Sequence, residues 1–190
     1  MSARSAEVVA ETLHTARLDL VPFDLEFCRA IVAGDRGVAA EWMGADLGAW
    51  PGGGELEFGF PSNYRALRED SSALGWHGRA IVVRMHGTVA GSVNLKGRPR
   101  DGQVEIGWEL DRLYRRQGYA REGASTVVAY AFSHREVHEV VAEIDPANTA
   151  SIAVAEAIGM SRTNNLSTKH PGSLVWAVTR AEFVTSIAGR

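Results

Sequence analysis

Apolar and polar positions alternate most clearly at Val104, Ile106, Trp108 and Leu110, separated by Glu105, Gly107 and Glu109. That period predicts a strand with one buried face, ending near Asp111. From Ala120 the period changes: Ala124, Val127, Val128, Ala131 and Phe132 recur at helical spacing, so a helix begins near Gly118. Strands are also predicted over 17–21, stopped by Pro22, over 76–85, over 88–95 after a tight His86-Gly87 turn, over 138–144 and over 174–178. Asp24 can cap a helix carrying Leu25, Phe27, Cys28 and Ile31, punctuated at its end by Gly34 and Gly37. Ser62 can cap a short one over 63–69, and a third is expected over 148–158.

Strands in succession and then strands alternating with helices give an α/β (α+β) chain. Its architecture is a central mixed, mostly antiparallel sheet of about six to seven strands with helices on both faces. At 190 residues and 45% hydrophobic one domain suffices to bury the core, assigned here to residues 15–190. Residues 1–14 are assigned as a flexible leader, its first eleven residues small and polar. The segment 42–61 is the least regular: Trp42, Trp50, Phe58 and Phe60 lie among glycines and prolines, so it reads as a loop or a pair of short helices making apolar contacts. Loops of that length in a compact domain tend to carry function.

Charge and cysteine content narrow the function. A net charge of −3 offers no overall attraction to nucleic acid or to an anionic membrane. The single cysteine, Cys28, excludes an intramolecular disulfide and a cysteine-only metal cluster, and its apolar neighbours make it a core residue. No apolar run approaches the ~20 residues that span a bilayer, and the polar start lacks a signal-peptide core, so a cytoplasmic protein is expected.

Between the central strand and its helix lies Arg115-Arg116-Gln117-Gly118-Tyr119-Ala120-Arg121. A basic turn containing glycine and feeding a helix N-terminus is suited to phosphate or pyrophosphate: free amides and the positive end of the helix dipole meet there, and Gly118 carries no Cβ to keep a phosphate away. Two rival motifs fail on spacing. Gly118 to Gly123 is a degenerate dinucleotide fingerprint without its middle glycine, and three strands precede it rather than follow it. His134 and His138 are four apart, but the acid falls at Glu136 rather than beside the first histidine, so they complement a helix C-terminus and no metal site is expected.

Arg115-x-x-Gly118-x-Ala120 after a strand resembles the (Gln/Arg)-x-x-Gly-x-(Gly/Ala) motif of the GCN5-related N-acetyltransferase (GNAT) superfamily. Asp145-Pro146-Ala147-Asn148-Thr149-Ala150-Ser151, followed by Glu156-Ala157-Ile158-Gly159-Met160, is similar to the Asn-x-x-Ser and Gly-Phe segment of its RimJ/RimL-like branch. Thr15-Ala16-Arg17-Leu18-Asp19-Leu20 resembles that branch's opening strand. Together the matches cover roughly residues 15 to 180.

The resemblance implies an N-acetyltransferase that moves acetyl from acetyl-coenzyme A to a primary amine, by direct attack in a ternary complex. Arg115, Arg116, Gln117, Gly118, Tyr119 and Ala120 would hold the pyrophosphate, and the backbone around Trp108 and Leu110 would bind the pantetheine arm. Asn148 would touch the coenzyme, with Ser151 near the sulfur as an acid or orienter. Glu105, on the strand face shared with Gly107 and Glu109, is the expected helper of the amine; Glu143 is a weaker candidate. Ala155 stands where many relatives carry a tyrosine acid. The acceptor is a protein N-terminus or a small amine, chosen by segment 42–61, and exposure of its aromatics would indicate a partner or a homodimer contact. The alternative is an acetyl-coenzyme A binding sensor or interaction module with little or no transfer activity.

Overall fold

The computed structural model describes residues 10–188. The proposed frayed leader lies mostly outside those residues. Within them Leu13–His14 (β1) already pairs with Leu18–Pro22 (β2). The remaining strands are Gly78–Val83 (β3), Thr88–Leu95 (β4), Gln103–Leu110 (β5), Glu139–Ile144 (β6), Ser161–Leu166 (β7) and Leu174–Thr179 (β8). They form one eight-stranded sheet in the order β1-β2-β3-β4-β5-β6-β8-β7, slightly larger than expected. Every pairing is antiparallel except β5 with β6.

Helices cover both faces. Leu25–Val32 (α1), Arg36–Met43 (α2) and Phe60–Glu69 (α3) lie on one; Tyr119–Ser133 (α4) and Thr149–Ala157 (α5) lie on the other, with Arg180–Ala188 (α6) following β8. β3 is buried at all six positions because both of its faces are covered. Ile81 and Val83 enter the core with Leu20, Ile106, Ala124 and Val128. Ala80 and Val82 enter a second core with Phe23, Phe27, Trp50 and Phe60. Gly91 has φ +151°, and a Cβ there would stand 2.1 Å from the Glu109 carbonyl oxygen, so only glycine lets β4 lie this close to β5.

Several expected boundaries move. Asp24 caps α1, its side chain accepting from the Phe27 amide, but Gly37 lies inside α2, which Asp35 caps. Ser62 caps nothing: α3 begins two residues earlier, continuing out of a π-helical turn at Glu55–Gly59, with Pro61 in its first turn, where a missing N–H costs nothing. Trp76 belongs to a 3-10 turn, Ser71–Trp76, and β3 starts only at Gly78. Trp50 and Phe60 are 2% and 1% exposed, so much of segment 42–61 is a lid packed on the sheet. Trp42 and Phe58, at 38% and 68%, remain at its surface.

Among the described residues no helix is long and apolar enough to cross a membrane, and no group of three His, Cys, Asp or Glu could hold a metal. His134 instead ends α4, its ring 3.0 Å from the Tyr130 carbonyl and packed on Trp76. Cys28 is buried and free in α1, its thiol pushed up to about 12 by burial.

Candidate functional site

β5 and β6 part company at mid-strand. Their parallel pairing covers Gln103 to Glu105 against Glu139 to Val141 only, although β5 runs on to Leu110 and β6 to Ile144. The Lys96 amide donates to the Glu105 carbonyl and the Asp111 amide to Ala90, so odd positions of β5 direct their peptide groups at β4. By alternation the peptide groups of Ile106, Trp108 and Leu110 point into the gap. Buried peptide groups require partners, and a gap lined with them is a place for an extended ligand bearing amides of its own. One is already used: Arg115 Nε donates to the Leu110 carbonyl at 3.0 Å, closing the end of the strand.

The gap leads to the start of α4. Gly118 is the cap residue, with φ +81° and no side-chain capping bond. The first intrahelical bond runs from the Glu122 amide to the Gly118 carbonyl, so the amides of Tyr119, Ala120 and Arg121 precede the ladder. Arg116 also has positive φ, +61°, an unusual conformation for a side-chain-bearing residue that folds the turn tightly before the helix. Arg17 anchors this turn to β2. It donates to the Gln117 carbonyl at 3.0 Å and to Glu122, and its guanidinium lies 4.6 Å from the Tyr119 ring centroid. Tyr119 is 4% exposed, so its side chain belongs to the core and only its amide serves the turn.

On the face opposite α4, the cross-strand pairs Ser92 with Glu109 and Asn94 with Gly107 continue to Lys96 beside Glu105. These side chains form a polar strip beside the gap. Glu105 is buried and held from two sides: Lys96 Nζ donates to Oε1, and Lys169 Nζ, from the loop before β8, donates to Oε2 at 2.6 Å. Burial alone would raise its carboxyl, but the bonds from Lys169 and Lys96 hold it below the usual carboxylate range. Glu105 therefore pins the β7–β8 loop to β5 and is a weak proton acceptor. Glu143 joins the same loop, accepting from Ser167 Oγ at 2.5 Å.

The other end of the strip holds a residue that the sequence reading passed over. Glu55, in the π-helical turn, accepts from Ser92 Oγ at 2.5 Å and from the Gly52 amide at 3.4 Å. Asn94 donates to Ser92 Oγ at 3.1 Å. Burial pushes the Glu55 carboxyl up to about 7, and the negative charge of Glu109 adds to the rise. Nothing periodic surrounds Glu55 in Gly52-Gly53-Gly54-Glu55-Leu56-Glu57. A glycine run feeding one acid inside the expected substrate segment was the available signal.

Asn148 caps α5, accepting from the Ser151 amide at 3.1 Å, which leaves its NH2 group for other partners. Ser151 stands one turn in and is partly buried. Ala155 is fully buried in the first core, so the position at which the resemblance would place a tyrosine faces away from the strip.

Residues 18–161 match the acetyltransferase (GNAT) domain family. The chain is 26% identical over 148 residues to YjdG, an uncharacterized N-acetyltransferase of Bacillus subtilis, covering 77% of this chain and 88% of that protein. It is 27% identical to the FsC-acetyl coenzyme A-N(2)-transacetylase of Aspergillus fumigatus, covering 91% of this chain and 78% of that one. In fold it is similar to an acetyltransferase of Agrobacterium tumefaciens, with a TM-score of 0.63, 23% identity and coverage of 94% and 100% of the two chains. The ribosomal-protein-S5-alanine acetyltransferase of Vibrio fischeri gives 0.64 at 12% identity, covering 92% and 99%. With the family match spanning most of the sheet and the α4 turn, this chain belongs to the GNAT acetyltransferase family.

Proposed function

We propose that the protein is an acetyl-coenzyme A dependent N-acetyltransferase acting on a primary amine. One observation carries the reading: the β5–β6 pair opens at mid-strand, and the chain leaving β5 turns into a helix N-terminus at Gly118 that no side chain caps. A pantetheine arm offers amides to match the peptide groups of Ile106 and Trp108, and a pyrophosphate suits the amides of 118–121. Arg116 and Arg121 are exposed beside that turn. Arg115 shapes the strand end through Leu110, and Asn148 and Ser151 stand ready at α5 for the coenzyme and its sulfur. The coenzyme supplies an already activated acetyl thioester, so the chain's task is to align an amine and manage its protons.

The acceptor is proposed to be a protein N-terminus or a small amine. A free α-amine, with pKa about 7.7–8.0, needs less help in losing its proton than a lysine-like amine near about 10.4. A second reading, a coenzyme-binding module without turnover, draws on the burial of Ala155 and the lysine clamp on Glu105. Release of free thiol with any member of a broad amine and peptide panel would exclude it.

The site itself is tested by calorimetric titration of acetyl-coenzyme A, with NADH as control, into the protein and its Gly118→Glu variant. Glutamate adds bulk and negative charge where the pyrophosphate would lie, and binding should weaken by at least about 100-fold. Gly118→Ala carries the same positive-φ strain without the charge and should lose much less. Equal binding by all three proteins would dismiss the site.

A further inference from the structure

We propose that Glu55 is the group that takes the proton from the acceptor amine, in place of the strand glutamate Glu105. The inference rests on the amine-acetylation reading above and names its base. Its footing is positional. Glu55 sits over the Ser92–Glu109 pair, on the face of β5 away from α4. Glu109 lies between Trp108 and Leu110, two of the three residues whose peptide groups line the gap. A Cβ on Gly52 would come within 3.1 Å of Glu109 Oε1, so the turn carrying Glu55 is already closed onto that strand. The π-helical turn, with the Phe60 amide bonded to the Glu55 carbonyl, belongs to the lid and is held by Phe60 in the second core.

Four groups face the Glu55 carboxyl from the elements around it: the Ser92 hydroxyl on β4, the Glu109 carboxylate on β5, the Gly52 amide and the Trp50 indole N–H. No cation is among them. The Trp50 Nε1 is buried, with its N–H beside the carboxyl. Glu105, by contrast, spends both oxygens on lysines, and Glu143 accepts from Ser167 with Lys169 nearby. Among the described residues no lysine or arginine pairs with Glu55 or Glu109, so an incoming ammonium meets two carboxyl groups at the Glu55 end and two lysines at the Glu105 end.

In the step proposed, one N–H bond of the R–NH3+ acceptor breaks and an O–H bond forms on Glu55, leaving a neutral amine with its lone pair free. That lone pair forms the C–N bond to the acetyl carbon as the C–S bond of the thioester breaks. The second proton lost by nitrogen goes to the departing thiolate, and the proton on Glu55 passes to solvent. The Glu109 carboxyl, beside Glu55 on the neighbouring strand, lies next to the charged amine before the proton moves.

The test combines a titration that needs no turnover with one that does. In protein carrying 13C-carboxyl glutamate, one carboxyl should titrate near neutral pH; Glu55→Gln should abolish that signal and Glu105→Gln should keep it. Addition of n-butylammonium, but not of tetramethylammonium at equal concentration, should move that titration to lower pH. For turnover, thiol release with an alanyl peptide or n-butylamine should rise with pH through neutrality. Glu55→Gln should lose that limb and about 100-fold or more in kcat/KM at pH 7, with acetyl-coenzyme A binding unchanged. The proposal is overturned if the neutral titration survives in Glu55→Gln, if n-butylammonium leaves it in place, or if Glu105→Gln rather than Glu55→Gln removes the limb. Failure of acetyl-coenzyme A to bind the unaltered protein would instead remove the reading beneath it.

Discussion

Glu55→Gln should make the protein more stable in alkali and leave it nearly unchanged in mild acid. Burial raises this carboxyl from 4.5 to about 7, so the folded chain holds its proton more tightly than the unfolded chain does. Stability from this group is fully present below pH 4.5 and is lost as pH rises towards 7, with no further change above. At about 1.36 kcal/mol for each tenfold change in proton affinity, the whole loss is about 3 kcal/mol, and partial solvent access lowers it to about 2–3. Glutamine mimics the neutral acid and still accepts from Ser92, so it avoids the loss. In a chain of this size the gain amounts to roughly 4–10 °C in Tm at pH 8.5, against about 2 °C or less at pH 5. Thermal and urea unfolding of both proteins at the two pH values gives the double difference, in which groups common to both cancel. Parallel stabilities at both pH values, or a variant weaker at pH 8.5, would refute the raised carboxyl and take the electrostatic support for its role with it.

Glu105→Ala should lower stability by about 1–2 kcal/mol at pH 7, a modest figure because both lysines are half-exposed. With a folded carboxyl below its usual range, that contribution exists above the unfolded value and fades as pH falls through the folded one. Urea unfolding at pH 7 and pH 3.5 should therefore show the gap to the unaltered protein closing in acid. Phe60→Ala removes a ring packed on Phe23, Phe27 and Trp50 at centroid distances of 4.9, 5.8 and 5.6 Å. It should cost about 3–5 kcal/mol by thermal unfolding. Asn148→Ala should cost about 1 kcal/mol through its lost cap; calorimetry with acetyl-coenzyme A then tells whether the side chain also contributes to binding.

The strand, turn and helix proposed to hold the coenzyme were legible in the chain because backbone periodicity specifies them. A strand period at 104–110, a helical period from Ala120 and a glycine between them specify where peptide groups point and where helix amides are left unpaired, whichever side chains surround them. β7 was missed for the opposite reason: Ser161–Leu166 is a polar edge strand paired only with β8, so neither face imposes apolar alternation. α2 was missed because two glycines suggested a stop where Gly34 alone provides it. The polar strip on the other face is made of side chains that irregular segments deliver partners to. Lys169 reaches Glu105 across 64 residues of sequence and Glu55 reaches Ser92 across 37, and no local period records either meeting. The strand face of Glu105 was therefore readable from the alternation while its partners were not, and its partners decide its chemistry. Two lysines hold the Glu105 carboxyl below its usual range, whereas burial beside Glu109 raises that of Glu55, and this contrast is what makes Glu55 the proposed base. In the reading proposed above, lid and strand divide the labour: the strand would fix where the acetyl group is presented, and the lid would bring the group that frees the amine.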